Sequence, residues 1–371
     1  MKMKEQVAAQ LFVGVQEQLE KKYEGEDVHI LVSGATGAGK STLVNLVFDE
    51  DLAQTGVGTP VTQQTEKYTK EDYPIVIYDT KGYELTDATH ALYEREIANM
   101  MATEKLHLMW HCVSAASRRV LDYDIQFIEQ CKREKWPVCA VLTKADQTDV
   151  DGLEAMKAEL AKLDVPVFAV SQVPALIDKL DLQALIEWSG TQLEAGQHQS
   201  FAMKQRHHMK LKRKEGINLV GKASAISGTV ALTPIPFADA PLLIANQTKM
   251  VADLIRMYDL KGSQHEFMQA LQGLIGGTIM ANLGRSAAAQ AAKLVPGAGS
   301  IVGGAMNATI ATSITYALGY TVNEVCYQFK VKEKEDANLS VVDFFNNFMS
   351  PDQIQSIFDT VFKKKNDESK K

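Results

Sequence analysis

The sequence predicts an α/β unit, a mostly parallel six-stranded sheet with helices on both faces, followed by an all-α helical unit. Three observations predict it. Short, nearly unbroken apolar runs alternate with amphipathic stretches from Val28 to about Gly190, the pattern of strands buried on both faces and covered by helices. A glycine-rich turn, Gly34 to Ser41, sits between the first apolar run and the first amphipathic stretch. Past residue 196 no strand-like period remains. The 371 residues suffice for two or three domains with sizeable cores. At 46% hydrophobic and 23% charged residues the chain is too apolar to be disordered, and its net charge of −7 argues against DNA as a partner. Cys112, Cys131, Cys139 and Cys326 show no C-x-x-C or metal-like spacing and read as reduced thiols of a cytoplasmic protein.

The elements follow in order. Residues 1–26 carry Val7, Leu11, Val15 and Leu19 every fourth position, an amphipathic helix whose Lys and Glu residues do not suit a signal peptide. Residues 27–195 form the α/β domain. Its expected strands are Val28–Ser33, Thr65–Tyr68, Ile75–Asp79, Leu106–Val113, Val138–Leu142 and Val167–Val170. Its expected helices are Ser41–Phe48, Ala88–Met101, Leu121–Glu134, Leu153–Leu163 and Leu176–Leu193. Residues 196–216 read as a basic linker helix: Gly196–Ser200 is polar, and 204–214 hold six Lys/Arg and no acid, with His207 and His208 facing solvent. Residues 217–332 read as a helical hairpin or bundle, with helices Ile217–Thr233, Ala240–Tyr258, Gln264–Lys293 and Ser300–Lys330. Proline-bearing turns at Thr233–Pro236 and Pro296–Gly299 separate them, since proline lacks a donor and restricts its predecessor. Leu232-x-Pro234 with Tyr258 and Leu294-x-Pro296 with Tyr320 suggest a repeat shifted by 62 residues, which chance also explains. In 333–371 a C-terminal helix begins at Ser350, with Ile354, Ile357, Phe358, Val361 and Phe362 on one face, before a disordered tail.

The chemistry starts at Gly34-Ala35-Thr36-Gly37-Ala38-Gly39-Lys40-Ser41-Thr42, a G-x-x-x-x-G-K-S run placed between strand and helix. Glycines let successive N–H groups face phosphates, the helix N-terminus adds partial positive charge, Lys40 reaches the β/γ-phosphates and the Ser41 hydroxyl ligates Mg²⁺. The buried run IVIYD then ends in Asp79-Thr80-Lys81-Gly82, where the carboxylate would hold Mg²⁺ through water and Gly82 would bring an N–H to the γ-phosphate. By itself, this D-x-x-G also reads as a strand-capping Asp and a turn. A third run, Thr143-Lys144-Ala145-Asp146, follows the buried strand CAVL. His107 and His111 share one face of LHLMWHC; a metal pair is conceivable there, but packed strand histidines are the ordinary reading.

Thr143–Asp146 resembles the guanine-reading N/T-K-x-D box of GTPases, and the order of the runs over residues 28–171 resembles a translation-factor-type P-loop G domain, closest to the Era-like bacterial GTPases. The resemblance implies GTP/GDP with Mg²⁺: Asp146 accepts from the guanine edge, the Lys144 stem lies over the base, and Ser171 belongs to a fifth box at the guanine oxygen. It places a switch threonine that binds Mg²⁺ and senses the γ-phosphate within Gly56–Thr62, Thr62 first and Thr59 as the alternative. Lys40, Thr62 and Gly82 would then carry catalysis. Tyr83 stands where other GTPases have a water-orienting glutamine, which implies slow intrinsic hydrolysis completed by an activating protein, a homodimer contact or a switch residue. Gly37 replaces the Asn of potassium-dependent relatives, so potassium stimulation is not expected by that route.

Residues 217–330 resemble the uncharacterised helical module of several bacterial GTPases, through Pro234-Ile-Pro-Phe-Ala-Asp239-Ala-Pro, Ala245–Met250, Tyr258 and Lys293–Gly299. Leu294–Asn323 and Phe267–Gly284 are uncharged and long enough to span a membrane, yet rich in Gly, Ala, Ser, Thr and Asn. Two readings stand: a soluble bundle, or a domain at the inner face of a membrane, peripheral or integral, touching anionic lipid through residues 204–330. A ribosome- or RNA-associated GTPase is the alternative function, although no KH-like G-x-x-G segment follows the G domain. A non-hydrolysing nucleotide-binding scaffold is another.

Overall fold

The computed structural model describes residues 25–48, 57–60, 65–70, 73–80, 97–103, 105–230, 240–260 and 303–348 except 337, with isolated positions elsewhere, notably around 13–19. They divide into two compact units, 23–208 and 1–22 with 209–371. Thr62, Gly82, Tyr83, most of Gln264–Lys293 and the helix expected from Ser350 lie outside the described residues, as do Pro234 and Pro296 of the suggested repeat.

The first unit holds one sheet. Strands β1 (Val28–Gly34), β2 (Val57–Pro60), β3 (Thr65–Lys70), β4 (Tyr73–Thr80), β5 (Leu108–Ser114), β6 (Val138–Thr143) and β7 (Val167–Ala169) are ordered 2-3-4-1-5-6-7. Strands β4, β1, β5, β6 and β7 are parallel, whereas β3 is antiparallel to β4 and to β2. All six expected strands form. The seventh, β2, pairs Val57 with Thr69 through Pro60 with Glu66 at the sheet edge, where a run containing Gly58 and Pro60 reads as loop in sequence. The central strands are buried on both faces, as their unbroken apolarity requires; Ile30, Leu31, Leu108, Val141 and Leu142 are fully covered.

Helices α1 (Lys40–Val47), α2 (Asp122–Arg133), α3 (Val150–Ala161), α4 (Pro174–Ile177), α5 (Leu182–Thr191) and α6 (Ala195–Lys204) cover the sheet, together with a helical segment at 97–103. Two expectations change here. Leu176–Leu193 is two helices, because Leu180 and Asp181 turn back to β7: the Asp181 N–H donates to the Ala169 carbonyl and its carboxylate accepts the Ala169 N–H. The polar linker at Gly196–Ser200 is the helix α6, which ends on the core: Phe201 meets Phe48 edge-on at 5.7 Å, and Phe48 stacks on Trp110 at 5.9 Å.

In the second unit α7 (Met209–Val230), α8 (Ala240–Met257) and α9 (Gly303–Glu335) pack together, followed by α10 (Val341–Phe348), which the sequence reading missed. Their interior is polar in part. Asn323 accepts the Tyr258 hydroxyl at 2.9 Å and donates to the Arg213 carbonyl at 3.0 Å, while Ser227 joins Thr315 and Asn246. The basic run is solvated only in part: Lys210 and Lys214 are exposed. Lys212 is buried with Nζ 2.6 Å from the Met257 carbonyl at the end of α8, Arg213 pairs with Glu324 at 2.8 Å, and His208 is buried too. No helix among the described residues is long and apolar enough to cross a membrane.

Candidate functional site

The turn after β1 is held by backbone conformations that only glycine adopts freely. Gly34, Gly37 and Gly39 have φ of 133°, 74° and 86°. A Cβ on Gly34 would lie on the Cys112 carbonyl oxygen of the neighbouring strand. The Ala38 N–H closes the turn on the Ala35 carbonyl at 3.0 Å. Gly39 then caps α1 without a side chain, and no acid occupies the first turn, so the amides at the helix start are left to an incoming anion. Lys40 is 8% exposed and lies over this loop, Nζ 3.1 Å from the Gly34 carbonyl and 3.3 Å from that of Ala35.

Ser41 and Asp79 meet beside it. Ser41 Oγ donates to Asp79 Oδ2 at 3.2 Å, bringing together residues 38 positions apart because β1 and β4 are parallel neighbours. Asp79 Oδ1 is buried and has no hydrogen-bond partner among the described residues. Burial pushes the Asp79 carboxyl above its usual range; Lys40 and the Ser41 hydroxyl oppose the rise and Glu66 adds to it. Glu66 stands opposite Asp79 in the β3–β4 register and accepts the Tyr68 hydroxyl at 2.7 Å. Burial and this acid push the Tyr68 hydroxyl up to about 12. A buried carboxylate with one oxygen unpaired, next to a hydroxyl and a second acid, is a donor set of oxygens that suits a hard divalent cation.

The third run closes the site from the other side. Thr143 Oγ1 donates to the Ala38 carbonyl, and Lys144, in the left-handed region at φ 53°, sends Nζ to the Gly37 carbonyl at 2.7 Å. Exposed Asp146 accepts the Ser171 hydroxyl at 2.6 Å. An open cleft lies between these residues and α1, lined by Gly39, Thr42, Leu43, Leu46, Thr143, Lys144, Asp146 and Ser171 among others. It offers an apolar wall and one carboxylate at its rim, the arrangement a flat heterocycle with N–H donors would fill. The structure thus gathers Gly34–Thr42, Asp79, Thr143, Lys144, Asp146 and Ser171. Of Thr59 only the backbone is described, in β2.

Sequence reasoning missed one constellation. Ser33, His111 and Asp124 meet in a buried chain of hydrogen bonds, and His107 joins the His29 N–H and Gln197 instead. Spacing carries no trace of the first group, because Ser33 and His111 meet through the pairing of β1 with β5 and Asp124 reaches His111 from the first turn of α2. Among the described residues no group of three His, Cys, Asp or Glu is placed to hold a metal ion.

Residues 29–144 match the family described as 50S ribosome-binding GTPase, and residues 198–343 match a domain of unknown function, DUF697. The chain carries a GTP-binding GTPase domain followed by a DUF697 domain. Magnetosome membrane protein 22 of Magnetospirillum gryphiswaldense is 28% identical over 89 residues, which are 24% of this chain. The match spans about half, 46%, of that curated relative. Among solved structures, a probable GTP-binding protein engB is 16% identical, covering 44% of this chain and 98% of its own, with a TM-score of 0.33. The G domain of the T. maritima FeoB iron transporter is 18% identical, covering 46% and 100%, with a TM-score of 0.32.

Proposed function

We propose that this chain is a regulatory GTPase of the Era-like group, which binds GTP with Mg²⁺, hydrolyses it slowly and uses the nucleotide state to control its helical unit. One observation carries the reading: the phosphate-loop turn, the Ser41–Asp79 pair and the Thr143–Asp146 run converge around a single loop and its cleft.

Each residue then takes the role its chemistry suits. Loop amides and Lys40 bind the β- and γ-phosphates and stabilise charge as it develops on the transferred phosphoryl group. Ser41 and Asp79, with Thr62 of the switch, would hold Mg²⁺, which supplies charge neutralisation at the phosphates when bound. Asp146 accepts from the two guanine donors, a pattern adenine lacks; the hydroxyl of Ser171 keeps its carboxylate in place, and Lys144 ties the base site to the phosphate loop through Gly37. Gly82 would present its N–H to the γ-phosphate. No glutamine follows it, so the attacking water is oriented by another group, and intrinsic turnover is slow.

A membrane surface as the place of action is supported by the name of the magnetosome relative, and exposed Lys210 and Lys214 of the second unit would meet an anionic surface. Phosphate release from GTP by the full chain tests the main reading. Steady turnover that Lys40→Ala abolishes supports it; release unchanged in Lys40→Ala contradicts it.

A further inference from the structure

Behind the phosphate loop three buried polar side chains run in series. Ser33, immediately before Gly34, stands opposite His111 in the β1–β5 register, with Oγ 2.9 Å from Nδ1. The other ring nitrogen, Nε2, lies 2.8 Å from Asp124 Oδ1 in the first turn of α2, and Asp124 Oδ2 accepts the Leu121 N–H at 3.0 Å. The carboxylate accepts at both oxygens, so Nε2 carries a hydrogen, and in the neutral imidazole Nδ1 accepts from the Ser33 hydroxyl.

These are the residue types of a nucleophilic triad, but Ser33 and His111 are 0% and Asp124 2% exposed. No substrate reaches the Ser33 oxygen, and its hydrogen is committed to the imidazole. Burying such a chain is costly unless every partner is satisfied, and a satisfied chain fixes geometry that apolar packing leaves looser. What it fixes is the strand end that leads into Gly34, whose carbonyl accepts Lys40. At its other end, Phe127 of α2 lies 4.9 Å from the His111 ring and packs in one core cluster with Ile97 and Met100, from the segment downstream of Asp79–Gly82.

We propose that His111 is a positioning residue for GTP hydrolysis, holding Ser33, and through it the entrance of the phosphate loop, in register with α2. The proposal rests on the GTPase reading above. It acts through Ser33 on groups aligned with the transferring phosphoryl, so it affects kcat before KM.

The test compares full-length wild type with Ser33→Thr, Ser33→Val, Asp124→Asn and the double variant Ser33→Val/Asp124→Asn. Thr and Val share a shape and differ only in the hydroxyl; Asn keeps the volume of Asp124 but replaces an acceptor by a donor. Ser33→Val and Asp124→Asn should each lower kcat about tenfold with KM within about threefold, Ser33→Thr should retain the rate, and the double variant should be no slower than the worse single. A purely structural role predicts equal rates for Thr and Val, or independent losses that multiply in the double; either result overturns the proposal. If neither Ser33 variant binds GDP, Asp124→Asn against wild type decides by the same kcat and KM criterion. Absence of turnover in wild type defeats the GTPase reading and the proposal with it, whereas turnover in wild type with unaffected variants defeats the proposal alone.

Discussion

Ser41 Oγ donates to Asp79 Oδ2 across 3.2 Å, linking the first turn of the helix behind the phosphate loop to the end of the neighbouring strand. The other carboxylate oxygen is buried and unpaired among the described residues. Ser41→Ala and Asp79→Asn should therefore uncouple nucleotide binding from Mg²⁺. In wild type, removing Mg²⁺ with a chelator should speed release of a fluorescent GDP by about tenfold or more; in either variant the two rates should converge. Convergence in wild type would remove Asp79 and Ser41 from the proposed metal site.

The loop glycines differ in what a methyl group would meet. At Gly34 a side chain would strike the Cys112 carbonyl, with φ at 133°; at Gly37, φ is 74° and nothing lies within 4 Å. Gly34→Ala should cost about 3 kcal/mol or more of stability and Gly37→Ala about 1 kcal/mol, the backbone cost alone. Denaturant unfolding of the two variants measures the difference, and equal losses would contradict the close approach at Gly34.

Acid should weaken the first unit through His107. Its Nδ1 accepts the His29 N–H, and burial holds its pKa below 6.5, against Glu194 and Glu26, which pull it up. Because the unfolded chain takes up a proton at higher pH than the folded one, the His107 contribution is complete above 6.5. It is lost as pH falls from there toward the lower folded value. His107→Gln should flatten the pH dependence of unfolding in this window; an unchanged slope would place the titration elsewhere.

In the second unit, Asn323 bridges the Tyr258 hydroxyl and the Arg213 carbonyl at 1% exposure. Asn323→Ala leaves a buried donor and acceptor unmade and should cost about 2 to 3 kcal/mol, read as faster hydrogen exchange along α7 and α9. Protection equal to wild type would show that the contact contributes nothing.

The legibility of this chain in its sequence follows from the range of the interactions. Gly34–Ser41 and Thr143–Asp146 are runs of consecutive residues, so both stand out as patterns in the sequence, as do the strands buried on two faces. The edge strand Val57–Pro60 was not, because Gly58 and Pro60 carry turn chemistry and only pairing with β3 makes them strand. The basic run looked solvated because composition says nothing of a Lys212 ammonium aimed at the end of another helix, 45 residues away. Ser33, His111 and Asp124 left no pattern, since only the β1–β5 pairing and the packing of α2 on the sheet unite them.

The central claim is that the cleft beside Asp146 reads guanine, and direct titration of the full chain with GTP and ATP in the presence of Mg²⁺ tests it. The account predicts that GTP binds about a hundredfold or more tighter than ATP, from two charge-assisted hydrogen bonds, and that Asp146→Asn removes most of the preference. Equal affinity for the two nucleotides, or a preference that survives Asp146→Asn, would contradict it.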